Sequence, residues 1–350
     1  DELQKLISKY NKHRGTYLLL YSAAMQKNIP EIGLNQDDYY TIVDLLKGKR
    51  GLPKIDVYIE TPGGSGIAAE EIAKYLHNNF GEISFIIAGE AKSAGTILAL
   101  SGHEIYMSET GSLGPIDAQI QIGRSVISAS DYCEWVKEKR EEAEEKNKLN
   151  PFDATMVAQI SPGELENVRH ALQFAIDRVI EWLPIYKFKN WDITEARQIS
   201  VTSEMKTERA REIAENLAKH STWQSHGRSI KLEELSQWLK IHKIENDPIL
   251  DDIVGRIKII YTLLFQSSST FKMFVTEDLK IFRQASPPPK TISIPNQVKQ
   301  IDFFEAVQKC PNCAIEHKLY GKFINDPKID IEAKKKGFFP IPKTLNLKCS

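Results

Sequence analysis

The sequence is short of the features that usually simplify a reading. Only four of its 350 residues are cysteine. That is too few for a disulfide scaffold, and lone residues with a single Cys-x-x-Cys suit a reducing compartment, so a cytoplasmic location is the expectation. No apolar run approaches the roughly 20 residues that span a bilayer. The strongest, Tyr17 to Tyr21 and Ile83 to Gly89, have the length of strands. Neither sign of charge is in excess: 46 Lys and Arg against 47 Asp and Glu leave a net charge of -1, which excludes the global basic field of a dedicated nucleic-acid binder. With 19 Gly, 16 Pro, 41% hydrophobic and 27% charged residues, the composition is that of an ordinary globular protein rather than a disordered or fibrous one. There is no internal repeat. Because the chain opens at Asp1 rather than Met, the absence of a leader or anchor is read only for the residues shown.

What is present is an alternation of strand-like and helix-like pieces. Residues 1 to 14 carry Leu3, Leu6, Ile7 and Tyr10 on one helical face, for which a subunit interface and intramolecular packing are both open. A strand at Tyr17 to Tyr21, a helix near Gln36 to Leu46 and a strand at Ile55 to Glu60 follow. Next come a helix from Ile67 to His77, a strand from Ile83 to Ala88, a small-residue helix from Ser93 to Ser101 and a short strand at Glu104 to Met107. Short connections and Ile-, Val-, Tyr- and Phe-rich strands predict βαβ units with a mostly parallel sheet buried by helices. Beyond about residue 128 the pattern is helical: Ser130 to Lys148, Pro162 to Tyr186, Lys206 to Lys219 and Asp247 to Phe265. Gln284-Ala-Ser-Pro-Pro-Pro-Lys290 reads as a stiff linker that separates residues 15 to 283 from a small C-terminal module.

Three loops follow successive strands. In Glu60-Thr61-Pro62-Gly63-Gly64-Ser65-Gly66 the paired glycines let backbone N–H groups turn towards a ligand, with a helix dipole behind them, although a tight strand-to-helix turn needs the same residues. In Ala88-Gly89-Glu90-Ala91-Lys92-Ser93-Ala94-Gly95-Thr96 the Ser93 hydroxyl sits at a helix start among small residues, a place for a nucleophile or for an N-cap. The third loop is Ser112-Leu113-Gly114-Pro115-Ile116-Asp117. The first is neither a Walker loop nor Gly-x-Gly-x-x-Gly, and the second lacks the Gly-x-Ser-x-Gly elbow.

Together, Thr-Pro-Gly-Gly, Lys-Ser-Ala-Gly-Thr and Ser-Leu-Gly-Pro-Ile-Asp resemble the ClpP-like serine proteases, and within them the signal-peptide-peptidase-like group of serine dehydrogenase proteinases. Ser225-His226-Gly227-Arg228-Ser229 with Lys240 to Ile244 is similar to the Gly-Arg segment and closing strand of signal peptide peptidases. The resemblance covers roughly residues 15 to 265. It implies a crotonase-like spiral of ββα units, assembled as a homo-oligomeric ring or barrel, that hydrolyses peptide or protein substrates without a catalytic cofactor. By motif it makes Ser93 the nucleophile and the Gly64 and Ala94 N–H groups the oxyanion hole.

The general base is where the sequence departs from the Clp-type pattern, since Gly111 to Asp117 holds no His. Signal-peptide-peptidase relatives use a desolvated Lys that precedes a Pro-Phe segment. Pro151-Phe152 here follows Lys146-Asn147-Lys148, which makes Lys146 the candidate, with Lys148 and Lys139 behind it; a charge run of this kind is otherwise a solvated helix face. Lys92, as a neighbour of Ser93, is expected to point outward or to contact substrate. His226 is read as approaching the site or as a cap or core residue, Asp117 as orienting a partner or stabilising a turn, and His103 as a helix C-cap. In the tail, Cys310-Pro-Asn-Cys313 has zinc-knuckle spacing, with Cys349 as a third ligand and His317 or a residue beyond Ser350 as the fourth; free thiols are the alternative. Cys133 reads as a packing residue. The rival readings are a crotonase-type acyl-CoA enzyme and an inactive ClpP-like scaffold.

Overall fold

Period-two runs of β-branched and aromatic residues become strands, and the 3.6-period segments between them become helices. The computed structural model describes every residue except Asp1 and residues 123–124, 195–197, 224, 286–301, 311–312 and 343–350. It divides into two compact units, Asp1–Ala285 and Ser286–Ser350.

The first unit opens with α1 (Glu2–Arg14), β1 (Tyr17–Ala23), α2 (Gln36–Leu46), β2 (Lys54–Glu60), α3 (Gly66–Asn79) and β3 (Glu82–Ile87). Next come β4 (Glu90–Ala91), α4 (Ala94–Leu100), β5 (Glu104–Met107), β6 (Ser112–Leu113) and a hairpin of β7 (Gln119–Ile122) and β8 (Ser125–Ser128). Six helices follow: α5 (Ala129–Lys146), α6 (Pro151–Val157), α7 (Pro162–Ile185), α8 (Ser203–Ala218), α9 (His220–Trp223) and α10 (Leu232–Leu235). The unit closes with β9 (His242–Lys243), α11 (Pro248–Ser267), β10 (Thr270–Val275) and β11 (Lys280–Gln284).

Seven strands form one sheet in the order β11-β10-β1-β2-β3-β5-β9. From β1 to β9 all neighbours are parallel, while β10 runs antiparallel to both β1 and β11. The result is the parallel-rich α/β sheet expected from the sequence, with an antiparallel edge that the sequence reading did not anticipate. Alternation along β1 explains why its apolar run is continuous. Leu19 and Tyr21 enter a core with residues of α2, α3, α4, α7 and α8, whereas Leu18 and Leu20 enter a second core with α1 and α11. Strands buried on both faces have no polar alternation. Each fully buried Leu or Ile contributes about 1.5–3 kcal/mol.

The apolar stripe of α1 packs within the unit: Leu3, Leu6, Ile7 and Tyr10 are buried in the α11 core. The Tyr10 hydroxyl donates to Asp56 Oδ2 at 2.6 Å, and Arg14 pairs with the same oxygen at 3.2 Å. Ile97, Leu98 and the small residues of α4 are all buried, which brings the N-terminus of α4 close to the carboxyl ends of β2 and β3.

In the second unit β12 (Phe303–Lys309) pairs antiparallel with β13 (Glu316–Lys322), followed by α12 (Pro327–Lys335) and β14 (Phe339–Pro340), which pairs parallel with β13. Its core is Tyr320, Ile329 and Ala333. Among the described residues, no helix is long and apolar enough to cross a membrane.

Candidate active site

The loops after β1, β2, β3 and β5 leave one edge of the sheet, because parallel strands put all their carboxyl ends there, and the short β4–β6 pair follows from two of them. Ser93 stands where β4 passes into α4. Its backbone is left-handed, φ +48° and ψ −116°, a conformation that costs a non-glycine residue about 1–3 kcal/mol. Its side chain makes no N-cap bond to α4, so the capping alternative does not hold. The diglycine turn lies against it. A Cβ on Gly63 (φ +101°) would come within 2.6 Å of Ser93 Cβ and 3.3 Å of its Oγ, so only glycine allows this approach. Gly64 is also left-handed (φ +135°), and Ser65 caps α3 by accepting from the Ala68 N–H. Among the described residues neither the Gly64 N–H nor the Ala94 N–H has an acceptor within the protein.

The third loop is tied to the second. Thr96 Oγ1 accepts from the Gly114 N–H at 2.9 Å and lies 2.8 Å from the Ala91 carbonyl, to which it donates. Leu113 exchanges both backbone bonds with Ile230, at 3.1 and 2.9 Å, which draws in the segment containing Ser225 to Ser229. In that segment His226 Nδ1 lies 2.7 Å from Asp117 Oδ1. Asp117 is fully buried and its Oδ2 accepts from Gln119, whereas the His226 side chain is 27% exposed. A buried carboxylate on one imidazole nitrogen fixes the tautomer and leaves the other nitrogen as a proton acceptor. His226 Nε2 makes no hydrogen bond to Ser93 Oγ here; catalytic bonds are often long without substrate and tighten when it binds.

Lys92 corrects the expectation that it points outward. It is buried, and its ammonium donates to the Arg228 carbonyl at 3.0 Å and to Ser229 Oγ at 2.7 Å. Desolvation lowers its pKa against the pull of Glu90. Lys92 therefore ties the strand before Ser93 to the segment that carries His226.

Two of the lysines proposed for the base are engaged with carboxylates. Lys146 ends α5 with its side chain 59% exposed and pairs with Glu142 at 3.1 Å. Lys139 pairs with Asp153 at 2.7 Å and with Glu142 at 3.1 Å, and Lys148 is exposed. The cause is local: α5 alternates acid and base at helical spacing, so each lysine finds a carboxylate on its own helix or on α6. His103 is not a helix cap; its Nδ1 accepts the Ile83 N–H. Cys133 is half-buried beside the small core of Ala129, Tyr132 and Val168, and burial raises its thiol pKa. Cys310 and Cys313 lie in the sequence between β12 and β13, and Cys349 lies outside the described residues. Among the described residues, no group of three or more metal-binding side chains is present.

Comparison with known proteins bears on the same segment. Residues 5–161 match the ClpP-like SDH-type serine proteinase family, which establishes the resemblance read from the three loops. That stretch contains Gly63, Gly64, Ser93 and Asp117, while His226 lies beyond it. Two uncharacterized proteins of Methanocaldococcus jannaschii are similar, one 36% identical over 116 residues and the other 32% over 122. These matches take in 31% and 33% of this chain, and the chain spans 40% and 41% of the two relatives' lengths. Among solved structures, a membrane-bound stomatin-specific protease matches at 14% identity and TM-score 0.33, over 59% of this chain and 71% of its own. A second structure of that protease, with a substrate peptide, matches at 14% identity and TM-score 0.36, over 73% of this chain and 89% of its own.

Proposed function

We propose that this protein is a serine peptidase in which Ser93 forms the acyl-enzyme, the Gly64 and Ala94 N–H groups hold the oxyanion, and His226, oriented by Asp117, is the general base. The observation that carries the reading is the left-handed backbone of Ser93, held against a diglycine turn at the first turn of α4. Strain of this kind persists only where the surroundings enforce it. The hydroxyl does not cap the helix, and among the described residues the Gly64 and Ala94 N–H groups have no acceptor within the protein.

The chemistry follows from these positions. Ser93 Oγ attacks the scissile carbonyl carbon while His226 Nε2 takes the hydroxyl proton, and the Nδ1–H donates to Asp117 throughout. The negative charge that develops on the carbonyl oxygen is met by the two N–H groups, a contribution worth about 10²–10³ in rate per donor. Collapse breaks the C–N bond, and the leaving amine takes the proton from His226. A water activated by the same imidazole then hydrolyses the ester. The chain order is Ser93, Asp117, His226, so no His is needed within Gly111 to Asp117.

The test is labelling of the purified protein by a fluorophosphonate, with the modified residue read by mass spectrometry. Labelling is expected at Ser93, lost in Ser93→Ala, slowed by about 10³-fold or more in His226→Ala and Asp117→Asn, and unchanged in Lys146→Ala. Loss in Lys146→Ala with retention in His226→Ala would instead establish a lysine base. A correctly folded wild type that does not label would point to the scaffold reading.

A further inference from the structure

Lys272 is a cation with no exposed side-chain surface. It lies in β10 with a side-chain exposure of 0%, and its partner Asp38 is also at 0%. Burying a lysine and a carboxylate gains little stability, because desolvation of both charges offsets their attraction; apolar residues of similar volume usually hold a fold as well. The pair therefore needs a reason other than stability, and its contacts supply one. Lys272 Nζ donates to Asp38 Oδ2 and to the Gly33 carbonyl, each at 2.7 Å. Asp38 in turn accepts from the Asn35 N–H at 3.0 Å and from the Tyr21 hydroxyl at 3.1 Å. Residues 33 to 35 are thus gripped at both ends.

Between those ends stands Leu34, which touches the diglycine turn on both sides. Its N–H donates to the Gly63 carbonyl at 2.6 Å, and its carbonyl accepts the Ser65 N–H at 2.8 Å. Both bonds run to residues adjacent to Gly64, so they set the plane of the 63–64 peptide and hence the direction of the Gly64 N–H. We infer that the buried Lys272–Asp38 pair is a positioning device for the oxyanion hole: Lys272 fixes Gly33, Leu34 fixes Gly63 and Ser65, and the Gly64 N–H is aimed as a result. This rests on the reading of Gly64 as an oxyanion donor, but the mechanical link does not.

A neighbour of the same pair provides the control. Arg283 reaches Asp38 Oδ1 at 2.9 Å from the partly exposed side, and its other nitrogen donates to Thr41. It is part of the same ion cluster without touching Gly33. Lys272→Met and Arg283→Met would be compared with wild type, well below their melting temperatures, by hydrogen exchange of the 61–66 amides and by peptidase kinetics. Lys272→Met is expected to speed exchange in 61–66 by about tenfold or more, with that of 94–100 unchanged. It is also expected to lower kcat by about ten- to hundredfold at constant KM. Arg283→Met should lower the melting temperature alone. Unchanged exchange in Lys272→Met, or equal acceleration in both variants, would overturn the inference. Should Lys272→Met not fold, Asp38→Asn keeps an acceptor for Asn35 while removing the charge that holds Lys272, and carries the same expectation for exchange. Exchange is read whether or not Ser93 reacts, so a chain that proves not to be a peptidase is distinguished from a failed positioning role.

Discussion

A single residue shows the balance between stability and chemistry here. Ser93 occupies a backbone conformation that glycine adopts without cost and serine does not. Ser93→Gly is therefore expected to raise the melting temperature while abolishing labelling. Ser93→Ala, which keeps the Cβ, should leave the melting temperature near that of wild type. Thermal unfolding followed by circular dichroism distinguishes the two. Gly63→Ala should lose both stability and activity, since its methyl group would meet Ser93 Cβ at 2.6 Å. The motif that carries these residues was legible because it is local: strand, small residues and helix are adjacent in the chain. The partnership of Asp117 and His226 was not legible, because the two are 109 positions apart and are brought together by long-range contacts such as the Leu113–Ile230 bridge. Lys92 was misread for a related reason. Its sequence neighbours do not reveal that its ammonium is taken up by Arg228 and Ser229.

At the scale of elements, the helices and strands up to β5 other than the two-residue β4 were readable to within a residue or two, since each has a continuous apolar pattern. β10 and β11 were not, because β10 is specified by pairing with β1 across some 250 intervening residues, and β11 has no fully buried residue, alternating exposed and half-buried positions at a sheet edge. The packing of α3 on α7 provides a test at this level. His77 stacks on Tyr186 at 3.4 Å, its Nε2 faces the Ser101 carbonyl, and His103 lies 5.5 Å away. Burial lowers the His77 pKa to about 4 and that of His103 also downward. Both imidazoles are neutral in the folded protein at pH values where they are charged in the unfolded chain. The unfolded state then binds more protons below about pH 6.5, so stability is fully present above that pH and falls as pH drops towards 4. The loss of melting temperature between pH 6.5 and 4.5 should be smaller in His77→Phe, which keeps the stack on Tyr186 without a titrating group. An equal loss in both proteins would refute this.

For the whole molecule, the two large hydrophobic clusters draw every residue from the first unit, and the second unit has its own small core. Residues 1–285 are therefore expected to fold without the rest, with fluorophosphonate labelling of Ser93 retained and a melting temperature within a few degrees of the full chain. Loss of labelling on truncation would show that the second unit contributes to the site. The sheet order has a further consequence, for the timing of synthesis. β1 is made first yet lies in the interior of the sheet, and the strand that flanks it, β10, is nearly the last part of the first unit to leave the ribosome. His226 also emerges more than a hundred residues after Ser93. A growing chain thus carries Ser93 long before it carries either His226 or Lys272. The β10 side of β1 therefore stays unpaired until residues 270–275 have been made, and the contacts of His226 and Lys272 that bear on the proposed site form late in the synthesis of the first unit.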